Sequence, residues 1–193
     1  MMHEEARRFI EGALNATAKG LEPVVSARLL ELMPGVPDWT TALAYKDQQA
    51  GRRMERYNPR DLALMLRALT EHLGTLGYPF SDILDRQAVN CARELRDCRN
   101  RWAHMDEFTI AEAYRVLDSA ETLLRAVGVE EEAAEVEERK REALSVMISE
   151  QVGQPAEEGA AAEVSATTSN GPRRAQPTVT EQDIEQARRK HSL

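Results

Sequence analysis

From Leu62 to Leu76 the apolar side chains recur at intervals of three and four, as Leu62, Met65, Leu66, Leu69, Leu73 and Leu76. That spacing covers one face of an α-helix and excludes a strand, where side chains alternate with a period of two. Asn58-Pro59 predicts the start, as a cap followed by proline at the first helical position, and Gly77 the end. The same period runs through the preceding and following segments. Phe9, Ile10, Ala13, Leu14, Val24, Val25, Leu29 and Leu32 mark a helix over residues 4–33, in which Gly20 and Pro23 predict a kink or a split, and Pro34-Gly35-Val36-Pro37 stops it. Asp38 suits the cap of a short helix carrying Leu43 and Tyr45, with Trp39 as a plug in the core.

After Tyr78-Pro79-Phe80, Ser81 is the predicted cap of a helix that runs to about His104 along the seam Leu84, Ala88, Cys91, Leu95, Cys98 and Trp102. Thr109-Ile110-Ala111-Glu112 fits a capping box, so the next helix starts a few residues later, with Ala113, Leu117, Ala120, Leu124 and Val127 inward and Gly128 at its end. So short a connection makes the two helices antiparallel neighbours. Glu130 to about Glu150 reads as an acid-rich helix anchored by Val136, Leu144, Met147 and Ile148, either peripheral to the bundle or projecting from it.

Beyond residue 150 the chain is rich in Ala, Glu, Gly, Ser, Thr and Pro and too poor in large apolar residues to offset its own ordering entropy. Thr180 to Lys190 has helical character with nothing to bury it. There is no internal repeat, strand pattern or glycine-rich phosphate loop. The sequence thus predicts an all-α fold, an antiparallel bundle of four to five helices over 1–128, then an acidic helix or spacer over 129–150 and a disordered linker and tail over 151–193. At 193 residues and 42% hydrophobic content, one domain with a core is the expectation.

No run approaches the ~20 apolar residues of a membrane helix, and Met1 to Arg8 lacks the apolar core of a signal peptide, so a cytoplasmic chain without membrane contact is expected. Cys91 and Cys98, on one apolar helix face, read as buried free thiols. Nothing accompanies them in metal-ligand spacing, and neither metal nor cofactor is expected. The net charge of −8 argues against a general polycation, and most of it falls beyond residue 130. Basic residues cluster at Arg52, Arg53, Arg56 and Arg60, and again at Arg93, Arg96, Arg99 and Arg101, which permits local positive potential.

The second cluster leads into the run Arg99-Asn100-Arg101-Trp102-Ala103-His104 at a helix end. With Trp102 at the core centre of a helical wheel, Arg93, Asn100 and His104 fall within about 20° of the opposite pole, Arg96 about 120° and Arg99 about 60° from the core. A stripe of guanidinium, amide and imidazole suits a phosphodiester, since arginine clamps phosphate oxygens and histidine moves protons near neutral pH. Arg99 and His104 lie about 140° apart on a regular helix, and converge only if the helix loosens at its end or a second subunit contributes. Arg67 and His72 have the same spacing, yet sit in the leucine-rich helix without an asparagine after the arginine. In a purely structural reading, Arg99 would pair with Asp97, Asp106 or Glu107, and His104 would cap the helix C-terminus.

This run, followed by a capped helix, resembles the arginine-(x4 to x6)-histidine signature of the HEPN superfamily. Tyr57-Asn58-Pro59-Arg60-Asp61, Leu76-Gly77-Tyr78-Pro79-Phe80, Glu94-Leu95-Arg96 and Ala113-Tyr114-Arg115-Val116-Leu117-Asp118 extend the likeness to the subgroup named after a nuclear transcript-quality-control endoribonuclease, whose bacterial counterparts stand at the N-termini of helicase or ATPase defence proteins. The resemblance covers about residues 4–128. It implies a helical bundle that dimerises with both motifs facing a shared cleft, and metal-independent RNA cleavage giving a 2′,3′-cyclic phosphate. His104 would be the general acid or base, Arg99 would stabilise the phosphorane and Asn100 would orient the imidazole or phosphate. Arg93, Arg96 and Arg101 would hold flanking phosphates, an assignment taken from the wheel.

Two other readings stay open: a non-catalytic dimerisation or docking module of a larger defence or helicase assembly, and the antitoxin-like half of a nucleotidyltransferase pair. The tail and its basic end, Arg188-Arg189-Lys190, suggest either a protein partner or the front of a longer chain.

Overall fold

The computed structural model describes residues 2–52 and 57–153, and its regular structure there is wholly helical. The helices are α1 (Met2–Leu32), α2 (Thr41–Gln49), α3 (Leu62–Thr70), α4 (Arg86–Ala103), α5 (Ile110–Ala126) and α6 (Glu130–Gly153), with one 3₁₀ turn at Gly74–Leu76. Helices α1 to α5 form the expected all-α bundle and α6 is the acidic helix. Arg53 and Arg56 of the first basic cluster, and the tail from residue 154 with its Thr180–Lys190 stretch, lie outside the described residues.

Helix α1 runs unbroken through Pro23, where the sequence predicts a kink or a split. An interior proline costs about 3 kcal/mol, but Leu21, Val25 and Leu29 are fully buried around it, and that packing overrides the local penalty. Gly20 is a point of close approach. A Cβ there would lie 2.7 Å from the Leu124 side chain and 2.8 Å from Val129, so its absence lets α1 close onto the end of α5.

Helix α3 starts later than Asn58-Pro59 suggests and ends earlier than its leucines do. Its N-cap is Asp61, which accepts a hydrogen bond from Ala63 N at 2.9 Å, whereas Asn58-Pro59 forms a turn in front of it, Asn58 Oδ1 accepting from Arg60 N at 3.0 Å. At the far end the backbone becomes extended at Glu71, and Leu73 and Leu76 pack inward from a loop and the 3₁₀ turn. Apolar spacing outlives the helix there because both residues still face the core.

A similar shift occurs before α4. Ser81 is no cap; Phe80 and Leu84 bury themselves through an isolated turn, Leu84 N donating to Phe80 O at 2.8 Å, and Asp85 then caps the helix, accepting from Ala88 N at 2.7 Å. Ala88, Leu95 and Cys98 are buried as expected and Ala92 joins them, while Cys91 and Trp102 are only partly covered. Trp39 is a buried plug, as expected.

The capping box of α5 is present, with Glu112 N donating to Thr109 Oγ1 at 3.1 Å and Thr109 N to Glu112 Oε2 at 2.9 Å. Helix α6 packs on α5 and α1. Its seam is Ala133, Val136 and Ala143, and the expected anchors Leu144 and Ile148 are exposed. Its acids are matched by cations of the bundle: Lys19 reaches Glu132 at 3.0 Å, and Arg125 reaches Glu130 at 2.9 Å and Glu137 at 2.8 Å. Among the described residues no helix is long and apolar enough to cross a membrane.

Candidate functional site

Helix α4 distributes its polar residues over three sides. Arg93, Asn100 and His104 are exposed, in keeping with the outer pole of the wheel. Arg96 and Arg99 turn toward α3. Arg96 Nη1 donates to Glu71 Oε1 at 2.9 Å, just past the C-terminus of α3, and Arg99 Nη2 donates to Asp61 Oδ1 at 3.1 Å, the cap at its N-terminus. The two arginines therefore staple the ends of an antiparallel neighbour. The third side faces α5, where Arg101 donates to Glu112 Oε1 at 3.0 Å and the Glu107 carbonyl at 3.2 Å, and lies 4.5 Å over the Phe108 ring.

Sequence reasoning named Asp97, Asp106 and Glu107 as structural partners for Arg99. The partner is Asp61, and Asp106 (3.5 Å) and the Glu107 carbonyl serve Arg101 instead. The Arg99–Asp61 pair is about one-third exposed on both sides (33% and 34%), which leaves the guanidinium open to solvent. No hydrogen bond engages the side chains of Asn100 or His104 among the described residues.

His104 is the C-cap of α4, its N–H lying 3.1 Å from the carbonyls of both Asn100 and Arg101. The chain reverses one residue later. Met105 has φ +63°, Met105 N donates to Trp102 O and Asp106 N to Arg101 O, both at 3.1 Å, which is the Schellman arrangement. Helix α4 is thus regular to Ala103, with His104 as its cap, and no loosening inside the helix brings Arg99 and His104 together within one chain. On a regular helix the two positions lie about 140° apart.

Arg7 of α1 holds this helix end. It donates to the Asp106 carbonyl at 2.9 Å and the Trp102 carbonyl at 3.4 Å, and lies 5.6 Å over the Trp102 ring, placing a cation where the α4 dipole favours one. Met105 is 75% exposed and left-handed, a conformation that costs an L-residue about 1–2 kcal/mol against about 0.5–1 kcal/mol of extra entropy for glycine. Met105→Gly is therefore expected to raise stability by about 0.5–1 kcal/mol, read as a higher urea midpoint. A lower midpoint would mean that the contact of Arg7 Nη2 with Met105 Sδ, at 3.4 Å, outweighs the backbone strain.

Behind Arg96 lies a charge network that the sequence reading did not anticipate. Arg67 donates to both oxygens of Asp47, each at 2.9 Å, and to Glu71 at 3.1 and 3.2 Å. Tyr57 Oη also donates to Asp47, at 2.5 Å, and Lys46 to Glu71 at 2.7 Å. The Arg67 hydrogen bonds hold the Asp47 carboxyl at about 2, well below its ordinary 3.8. Burial works to raise Glu71, yet Arg67 and Lys46 bring it down to about 2. Arg67 is thus spent on structure, and His72, exposed and edge-on to Tyr78 at 5.3 Å, does not share its environment.

Cys91 and Cys98 are free thiols, half-buried and buried, and burial raises both, Cys98 to about 11. They stay protonated and unreactive near neutral pH. Among the described residues no group of three or more His, Cys, Asp or Glu side chains is arranged to hold a metal ion.

The family model for the Swt1-like HEPN domain matches residues 12–128, from within α1 to the Gly128 turn, and takes in all of α4 with its motif. No curated protein and no solved structure matches the chain. With the match spanning more than half of the sequence, and an all-helical bundle carrying the arginine-to-histidine run at a helix end, the chain belongs to the HEPN superfamily as a Swt1-like member.

Proposed function

We propose that the chain is a HEPN-type endoribonuclease domain that cuts RNA without a metal ion. The observation that carries the reading is the Arg99, Asn100, His104 set inside the family match, with the amide and imidazole exposed and the guanidinium one-third exposed at the same helix end. In the proposed reaction a 2′-hydroxyl attacks the adjacent phosphorus and the P–O5′ bond breaks, leaving a 2′,3′-cyclic phosphate and a 5′-hydroxyl. His104 takes the 2′-hydroxyl proton or gives one to the leaving 5′-oxygen. Arg99 stabilises charge on the phosphorane, and Asn100 orients the imidazole or the phosphate. Arg93 and Arg96 hold flanking phosphates.

Because Arg99 and His104 diverge within one chain, the reading calls for a homodimer in which two motifs line a common cleft. It fits a role in RNA processing, stress response or phage defence inside the cell, with the region beyond residue 150 contacting a protein partner or further chain. The second reading, a non-catalytic dimerisation or docking module, draws on the acidic partners of Arg96, Arg99 and Arg101.

End-group analysis of RNA incubated with the purified full chain in the presence of a chelator separates the two. Cyclic phosphate and 5′-hydroxyl ends that vanish with His104→Ala are the expected result. Products that need added metal, or that persist in the variant, would overturn the proposal.

A further inference from the structure

Beside the outer stripe of α4, on the α5 side, lies a cleft of ≈ 230 Å³. Its floor is Leu95, Cys98, Phe108 and Val116, and its rim is charged. Almost all of that charge is internally matched. Arg101 pairs with Glu112 at 3.0 Å, Arg115 pairs with Glu94, and Ser119 Oγ donates to the second Glu94 oxygen at 2.9 Å. The exception is Asp97, exposed and without an ion pair or hydrogen bond among the described residues, although Arg93 and Arg101 stand four residues to either side. Asp97 also precedes Asn100 by three residues and His104 by seven, so it sits on the edge that the cleft shares with the proposed catalytic stripe.

The volume is below the ~300–1,000 Å³ of sites for drug-sized ligands and suits one planar ring system. Neutralised pairs plus one free carboxylate disfavour a phosphate and favour a ligand that presents donors. The apolar floor and the Arg101 side chain, which is 44% exposed and lies 4.5 Å over the Phe108 ring, provide surfaces for an unstacked base. Of the four RNA bases, guanine alone offers two adjacent donors, N1–H and the N2 amine, on its Watson–Crick edge. Two such donors match the two oxygens of a carboxylate, as a guanidinium does.

We infer that this cleft is a nucleobase subsite that accepts guanine, with Asp97 receiving N1–H and N2–H and Arg101 stacking on the ring. The ligand class rests on the ribonuclease reading; the site itself is read from the cleft. In this arrangement Arg101 acts as a stacking plane held by Glu112, and phosphate contacts fall to the exposed side of α4.

The test is titration of the full chain with the 3′-monophosphates of guanosine, adenosine, cytidine and uridine, followed by calorimetry or amide shifts. Guanosine monophosphate is expected to bind at least tenfold more tightly than the other three. Asp97→Asn should abolish the preference, and Val116→Trp, which fills the cleft from its floor, should weaken guanosine binding at unchanged helical content. Equal affinities, no binding of any of the four, or a preference that survives Asp97→Asn would overturn the subsite. These readouts do not depend on turnover. His104-dependent cleavage without guanosine preference would sink the subsite alone, and guanosine binding without cleavage products would sink the ribonuclease reading alone.

Discussion

Arg67→Met is expected to lower the free energy of unfolding by about 3–5 kcal/mol, the usual cost of removing one partner from a buried ion pair. The Asp47 side chain is 3% exposed and Arg67 12%, so losing the guanidinium strands a carboxylate away from water. Tyr57 and Arg52 remain for Asp47, and Lys46 and Arg96 for Glu71, which keeps the cost from rising further. The variant should also change the acid limb of the stability curve. Both carboxyls titrate at about 2 in the folded chain against ordinary values of 3.8 and 4.5. Depressed folded values mean that their stabilisation is fully present above about pH 4.5 and is lost as pH falls toward 2, at roughly 2–3.5 kcal/mol per group. The two share Arg67, so their contributions do not add. Urea unfolding from pH 7 to 2 should show a steep acid loss in the native chain and a shallower one in Arg67→Met. Parallel curves would show that Arg67 does not set these values.

The second large effect concerns turnover. His104→Ala is expected to cut RNA cleavage by about a hundredfold or more, the range for losing a general acid or base. Stability should change by no more than about 0.5 kcal/mol, because the ring is exposed and makes no hydrogen bond among the described residues. Arg99→Ala should show a comparable drop in cleavage with a modest structural cost, since its pair with Asp61 is partly open to water and such pairs contribute about 0–1 kcal/mol. A docking module would give no products from any of these proteins, and the substitutions would then register only in oligomeric state. Single-turnover cleavage measured beside thermal unfolding distinguishes the outcomes.

The helical class, the Thr109 capping box and the outward course of Arg93, Asn100 and His104 were legible in the sequence because each depends on neighbours within a few turns. What stayed hidden were long-range partners. Asp61 and Arg99 are 38 residues apart, Glu71 and Arg96 25, and Arg7 reaches across 99 to the Asp106 carbonyl. Charge has no period that announces such pairs. Helix ends misled in a related way, since Asn58 and Ser81 are good caps in isolation, and burial of Phe80 and Leu84 moved the α4 cap to Asp85. Of the α6 anchors, Val136 is buried and Met147 packs on the core as the sequence suggests, whereas Ala133 and Ala143 escaped because alanines add little to any hydrophobic window.

A single oxygen of Asp61 both starts α3, through the Ala63 amide, and tethers Arg99. Should an incoming anion win the guanidinium away, the amide bond remains and α3 keeps its first turn. The arginine is thus anchored at a point the scaffold does not depend on, so breaking its one tether would leave the wall that carries it intact.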